Sequence, residues 1–276
     1  MRPQGFIKPE FFISPIFAGA ALPRDLPNSF HDHSTGPTIN LDVPFVPSDE
    51  AIVEAMLQLA AVGPKDLLYD LGSGDGRIVI AAARQRGARA IGVELDPLRV
   101  ADAMEDAGWA RVEHRVDFLE EDIFTCDFSD ASVVTLYLLE PVNVRLRPRL
   151  LQLRPGTRIV SHAFGMGDWT PDKTLELGGT RLFRWVVPAP VAGHWDWEGP
   201  EGQRYRVELQ QRYQEVTGSA WLDDRKIQFE GAQLRGRRLE LRLRKAPRAR
   251  PQGFTLTFSD EGLESALDHD AHKAAF

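Results

Sequence analysis

Leu67-Leu68-Tyr69-Asp70-Leu71-Gly72-Ser73-Gly74-Asp75-Gly76 reads as a short apolar strand entering a glycine-rich turn, and apolar Ile78 to Ala83 reads as the helix that follows. A strand that passes straight into a helix needs positive φ and close backbone approach, which glycine permits. The start of that helix offers free N–H groups to an anionic part of a ligand. The next apolar run, Ala90 to Leu95, carries Glu94 near its end. A carboxylate there is placed to accept hydrogen bonds from both hydroxyls of a ribose.

The same alternation extends outward. Ser48 is placed to cap a helix whose apolar face holds Ile52, Met56 and Leu59, with Pro64 beyond its end. Pro97 to Ala107 reads as a helix, Val112 to Leu119 as a third strand and Ser132 to Leu138 as a fourth. Val142 to Leu153 reads as a helix that Pro148 should kink, and Thr157 to His162 as a fifth strand. Strands alternating with helices predict an α/β fold, a Rossmann-like parallel sheet with helices on both faces. Past Pro190 the period becomes two. Tyr205, Val207 and Leu209 alternate with charged or polar residues, as do Leu239, Leu241 and Leu243, and then Phe254, Leu256 and Phe258. That is the pattern of a small C-terminal antiparallel β module with one wet face, packed on the first domain. The expected organisation is an irregular leader over 1–42, a ligand-binding domain over 43–190, the β module over 191–259 and a frayed tail over 260–276.

Composition narrows the function classes. The 276 residues are 43% hydrophobic and 26% charged, ordinary for a globular chain, and the formal net charge is −7. Sequence-independent nucleic-acid binding, which needs phosphate neutralisation, is disfavoured. A single cysteine, Cys126, excludes an internal disulfide and a cysteine-built zinc site. His31 and His33 read as solvated loop histidines, so no metal is expected. No apolar run is long enough to span a membrane. Phe11 to Leu22, with Ala18-Gly19-Ala20, has the flavour of an export signal, but Glu10 precedes it and Pro15 interrupts it. A cytoplasmic location is expected.

The glycine turn discriminates between cofactors. A dinucleotide site shows G-x-G-x-x-G, whereas the sixth position here is Arg77, and the pattern is G-x-G-x-G with Asp70 ahead of it. A carboxylate at that place repels a pyrophosphate but suits the ammonium of an amino-acid moiety. A ligand with a ribose, an ammonium and no phosphate is S-adenosylmethionine.

With those residues in view, the run from Val43 to Pro188 resembles class I S-adenosylmethionine-dependent methyltransferases. More narrowly it resembles the lysine methyltransferases of the mitochondrial ATP synthase c-ring protein and adenine nucleotide translocase, with their bacterial relatives. The resemblance is carried by Val43-Pro44-Phe45-Val46-Pro47-Ser48, by Asp70 to Ala83, by Ala90-Ile91-Gly92-Val93-Glu94-Leu95-Asp96-Pro97, and by Trp169-Thr170-Pro171-Asp172. It implies that Asp70, Gly72, Ser73, Gly74 and Gly76 shape the methionine pocket and that Glu94 holds the ribose. It also implies that Asp122 meets the adenine amino group, with Ile123 flanking the ring. The implied acceptor is a protein lysine amine.

Ligands of open α/β sheets sit at the carboxyl ends of the strands. Tyr137, Phe164 and Trp169 are therefore expected to line the acceptor side, with Glu140 or His162 accepting a proton. The asparagine-proline signature of amide or base methylation is absent after the fourth strand. The basic run Arg235 to Arg250 reads as the solvated face of a strand, and Trp195, Trp197 and Trp221 as filling for the β module. Two other readings remain open: a small-molecule methyltransferase, and a non-catalytic cofactor-binding module whose β part recruits a partner.

Overall fold

The computed structural model describes residues 46–259 and 262–268. The expectations for the leader, including Phe11 to Leu22, His31, His33 and Val43-Pro44-Phe45, lie outside the described residues. Eleven elements build the first sheet and its helices: α1 (Glu50–Leu59), β1 (Leu67–Leu71), α2 (Arg77–Arg86), β2 (Arg89–Glu94), α3 (Pro97–Ala110), β3 (Val116–Glu120), β4 (Val133–Leu136), α4 (Glu140–Leu150), β5 (Arg158–His162), β6 (Lys173–Leu177) and β7 (Thr180–Val186). The strand order is β3-β2-β1-β4-β5-β7-β6. The first five are parallel, and β7 runs antiparallel between β5 and β6. The order reverses between β1 and β4, which opens a crevice beyond their carboxyl ends.

β4 is buried on both faces, and β1 from Leu68 onward, so they read as continuous apolar runs. One apolar layer joins α1, α2 and α3 to one face of the sheet, around Met56, Leu57, Leu68, Val79 and Ala82. The other joins α4 to the opposite face, around Leu71, Leu136, Leu146, Leu150 and Trp185. Pro97 opens α3 and the Asp96 carboxylate accepts from the Leu98 N–H at 2.9 Å, a side-chain cap.

Several local expectations need correction. The N-cap of α1 is Asp49, not Ser48; the buried Ser48 hydroxyl is bonded elsewhere. The third strand starts at Val116, because α3 runs on to Ala110 and ends at Arg111 with φ 59°. Pro148 sits in the last turn of α4, where the helix ends soon afterwards at Leu150. The β6–β7 hairpin is absent from the expected pattern: its turn is Gly178-Gly179, both with positive φ, as a tight two-residue turn requires.

The second sheet is an antiparallel meander of β8 (Gly193–Glu198), β9 (Arg204–Arg212), β10 (Glu215–Leu222), β11 (Arg225–Arg235), β12 (Arg238–Arg244), β13 (Gln252–Ser259) and β14 (Gly262–Asp268), each paired with the next. β14 lies in what the sequence suggested was tail, and it pairs along β13 from Ser259 to Phe254. The alternating residues Tyr205, Val207, Leu209, Leu239, Leu241, Leu243, Phe254, Leu256 and Phe258 form one core. The sheet curls, since Trp195 on β8 meets Phe258 on β13 edge-on at 5.1 Å. Trp195 and Trp197 pack on this core, whereas Trp221 stands beside buried Ala220 on the alternate face, between Arg206 and Lys226 of the adjacent strands. Of the basic run, Arg238 pairs with Glu240 and Arg244 with Glu230.

Candidate functional site

The turn after β1 is shaped by contacts that exclude side chains. The Gly72 and Ser73 N–H groups both donate to the Val93 carbonyl, at 2.8 and 3.0 Å, which locks the turn onto the end of β2. Gly72 has φ 82°, and a Cβ there would stand 2.9 Å from Leu138. Gly76 caps α2 with φ 74°, and its Cβ would stand 2.6 Å from the Phe118 ring. Both positions require glycine.

The turn borders a cleft of about 260 Å³ at the carboxyl ends of β1, β2 and β4. Its walls include Asp70, Gly72, Ser73, Glu94, Asp122, Ile123 and Tyr137 from the expected set. They also include Ser48, Asp75, Arg77, Asp96, Phe124 and Val142, to which sequence reasoning gives no ligand-side role. Gly74 and Gly76 stand behind the wall: the Gly74 N–H donates to a Glu94 oxygen at 2.9 Å. The other Glu94 oxygen accepts from the Leu95 and Asp96 N–H groups at 2.8 and 3.1 Å. Glu94 is thus held in place by three backbone donors.

Asp70 is 3% exposed, and its one hydrogen-bond donor among the described residues is the Thr135 hydroxyl at 2.7 Å. Burial pushes its carboxyl up to about 7; the Thr135 bond opposes this, while the Glu94 and Asp75 charges add to it. A buried acid with no cation beside it among the described residues fits a ligand that brings an ammonium. Among the described residues, the buried Ser73 Oγ on the same wall has no hydrogen-bond partner. Asp122 accepts from the Phe124 N–H at 2.8 Å while still bordering the cleft, so it combines a turn role with a cleft position. The acidic lining, the unpartnered Ser73 hydroxyl and the glycine turn together fit a cationic nucleoside ligand without phosphates.

Arg77 organises one rim. Its Nε donates to Asp75 at 2.9 Å, and Nη1 donates to the Ser48 carbonyl at 2.7 Å. The segment before α1, which borders the cleft, is thereby fastened to the start of α2. The signal for this lies in the Pro47-Ser48 stretch, which the family resemblance singles out and which local helix rules misread as a cap.

Tyr137, which also borders the cleft, stacks on His162 with ring centroids 3.8 Å apart, and on Phe164 at 6.4 Å. His162 does not line the cleft. It is 7% exposed, its Nδ1 lies 3.0 Å from Ser48 Oγ, and burial pulls its pKa down to about 4. Glu140 does not line the cleft either; it is exposed at the start of α4 and accepts from the Gly167 N–H at 3.2 Å. Trp169, expected as lining, is 1% exposed in the core, and its ring packs 6.0 Å from that of Trp185. Asp172 of the same motif accepts from the Val186 N–H at 2.7 Å, so this motif anchors β7.

Comparison with known proteins agrees with this geometry. The family model described as the ANTKMT methyltransferase domain matches residues 70–173. A protein-lysine N-methyltransferase from Saccharolobus islandicus is 41% identical over 137 residues, which is 49% of this chain and 85% of that protein. The adenine nucleotide translocase lysine N-methyltransferase of Mus musculus is 34% identical over 151 residues, which is 54% of this chain and 65% of that protein. A crystal structure of an RNA methyltransferase from Salinibacter ruber in complex with S-adenosyl-L-homocysteine is 52% identical, with a TM-score of 0.52 over 53% of this chain and 96% of that one. No helix among the described residues is long and apolar enough to cross a membrane. The chain belongs to the S-adenosylmethionine-dependent methyltransferase family that includes the ANTKMT methyltransferase domain and the protein-lysine N-methyltransferase of Saccharolobus islandicus.

Proposed function

We propose that this chain methylates the side-chain amine of a protein lysine. The observation that carries the reading is that buried Asp70, fixed Glu94 and the ring of Tyr137, held by its stack on His162, all border one cleft. The Saccharolobus relative, a protein-lysine N-methyltransferase that matches over 85% of its length, supports the same acceptor class.

When bound, S-adenosylmethionine supplies a methyl group on a sulfonium sulfur, which an incoming amine takes in an in-line displacement. Asp70 would answer the ligand's ammonium, Ser73 and the glycine turn its methionine portion, Glu94 its ribose hydroxyls, and Asp122 with Ile123 its adenine. The protein's remaining task is to align the amine and to receive it without its proton. A free lysine titrates near ~10.4, and contact with apolar rings lowers that value by desolvation. Tyr137 is the residue we assign to that wall. His162 is too weak a base, at about 4, to draw a proton from an ammonium efficiently. Its role in this reading is to hold the Tyr137 ring, and proton loss goes to solvent before the amine is enclosed. Glu140 supports the loop at Gly167. We infer a cytoplasmic site of action, because an exported enzyme would lack an evident cofactor supply. The organisation we propose is a methyltransferase domain over 43–190 followed by the antiparallel module.

A second reading has its own support, since the Salinibacter structure is described as an RNA methyltransferase. The net charge of −7 and the acidic lining argue against it. The test is to incubate the full chain and methyl-labelled S-adenosylmethionine with a total protein extract, and separately with total RNA. Methyl-lysine in the protein hydrolysate supports the proposal. Label confined to RNA or to small molecules overturns it.

A further inference from the structure

The loop between β5 and β6 is gripped from two sides. From α4, Asn143 Nδ2 donates to the Phe164 and Gly165 carbonyls at 3.3 and 3.1 Å. Arg147 donates to the Met166 carbonyl at 2.8 Å and pairs with Asp168. From the second sheet comes the tip of the β9–β10 hairpin, Arg212-Tyr213-Gln214. Arg212 pairs with the Asp168 carboxylate, and the Tyr213 hydroxyl lies 3.2 Å from both Asp168 oxygens. The Tyr213 ring stacks on Trp169 at 5.7 Å. Gln214 accepts from the Trp169 indole N–H at 2.8 Å and donates to the Thr170 carbonyl at 2.6 Å. The tip is itself fixed: Tyr213 holds φ 55°, and Gln211 Nε2 donates to its carbonyl at 2.7 Å.

We propose that this hairpin tip positions the acceptor side of the catalytic cleft. Three consecutive residues of the tip bind three consecutive residues of the loop, Asp168, Trp169 and Thr170. The same loop carries Phe164, which stacks on the Tyr137 ring of the cleft wall. Arg212, Tyr213 and Gln214 do not border the cleft, so they are positioning residues and act through the loop. The hairpin also lies beyond residues 70–173, which the family model matches. The C-terminal sheet thereby becomes part of the acceptor machinery instead of an appendage. A wall formed by side-chain stacking is only as well placed as the backbone that carries it. An in-line transfer is sensitive to misplacement of the order of ~1 Å.

This inference rests on the proposed reading of Tyr137 as the acceptor wall, and the experiment separates the two. The full chain is compared with R212A/Q214A, and with Tyr213→Phe as the milder variant that keeps the ring on Trp169. Amide hydrogen exchange is followed with and without S-adenosylhomocysteine, and methyl transfer to poly-lysine is measured. The double variant should exchange at least about fivefold faster over 163–170 while 70–80 keeps its protection. Its affinity for S-adenosylhomocysteine should stay within about twofold, and the KM for poly-lysine should rise with a smaller change in kcat. Tyr213→Phe should retain most of the wild-type behaviour. Unchanged exchange over 163–170, or a uniform rise across the chain with loss of cofactor affinity, overturns the inference. If wild type binds the cofactor but does not methylate poly-lysine, the acceptor reading loses support, and the exchange data still decide the role of the hairpin.

Discussion

Ser48 and His162 lie 114 positions apart in sequence, yet the Ser48 hydroxyl and the His162 Nδ1 meet at 3.0 Å in a buried contact. This bond joins the segment before α1 to the end of β5. Because Arg77 also holds the Ser48 carbonyl, a short stretch of chain bordering the cleft is tied both to the start of α2 and to the end of β5. The imidazole bonded to Ser48 is the one that stacks on Tyr137, so the cofactor side and the acceptor side share one support. The consequences can be measured.

Tyr137 should matter as a ring and not as an acid. Tyr137→Phe preserves the stack on His162 and should keep methyl transfer within about threefold of wild type. Tyr137→Ala removes the wall and should lower acceptor kcat/KM by about tenfold or more, the scale of one misaligned group. Steady-state kinetics of the two variants check this; equal loss in both would point to the hydroxyl.

Asp70 gives the cofactor site a pH dependence. Its carboxyl sits at about 7 in the ligand-free fold because of burial, against ~3.9 when unfolded. Between those values the folded chain keeps a proton that the unfolded chain has lost. This group therefore adds stability to the ligand-free protein as pH falls from about 7 towards ~4, and removes it as pH rises. Binding a ligand ammonium requires the ionised form. Affinity for S-adenosylhomocysteine should therefore weaken below pH 7, by up to about tenfold per pH unit. Calorimetry from pH 5 to 8 should show this slope in wild type and a weak, flat profile in Asp70→Asn.

His162 works in the opposite direction. Its folded value is about 4 through burial, below the ~6.5 of a free imidazole. The unfolded chain takes up the proton first, so the fold loses stability from this group as pH falls from ~6.5 to about 4. The Asp70 and His162 contributions partly cancel in that window. Thermal unfolding of His162→Gln across pH 4–7 should lose this acid-side penalty, so its melting temperature, relative to wild type at the same pH, should rise as pH falls below ~6.5.

Gly76→Ala tests the turn as architecture. The residue combines φ 74° with a Cβ position 2.6 Å from the Phe118 ring and 2.9 Å from Ala103. Strain and overlap together should cost about 2–4 kcal/mol in denaturant unfolding. A cost under about 1 kcal/mol would mean that the turn can relax.

Much of this is legible from residues. β1, the glycine turn and Glu94 can be read because buried parallel strands are continuous apolar runs and a strand-to-helix turn needs glycine. The alternation of Tyr205, Val207 and Leu209 reveals the second sheet for the same kind of reason, a period imposed by one buried face. What local pattern does not reveal is where hydroxyls and indoles go once the chain has folded. Ser48 has the spacing of a helix cap and instead bonds His162. Trp169 has the placement of a lining residue and instead fills the core against Trp185 and Tyr213. β6, exposed along its whole length, carries no burial pattern to read, and β14 shows too little alternation to be separated from a tail.

The most direct test of the account is thermal unfolding of the full chain with and without S-adenosylhomocysteine, in wild type and Glu94→Ala, with NADH as a control ligand. At about 100 times its dissociation constant the ligand should add ~2.7 kcal/mol to wild type. Most of that gain should vanish in Glu94→Ala, and NADH should have no effect. Stabilisation by NADH without any by S-adenosylhomocysteine, or equal stabilisation of both proteins by S-adenosylhomocysteine, would contradict the assignment of this cleft.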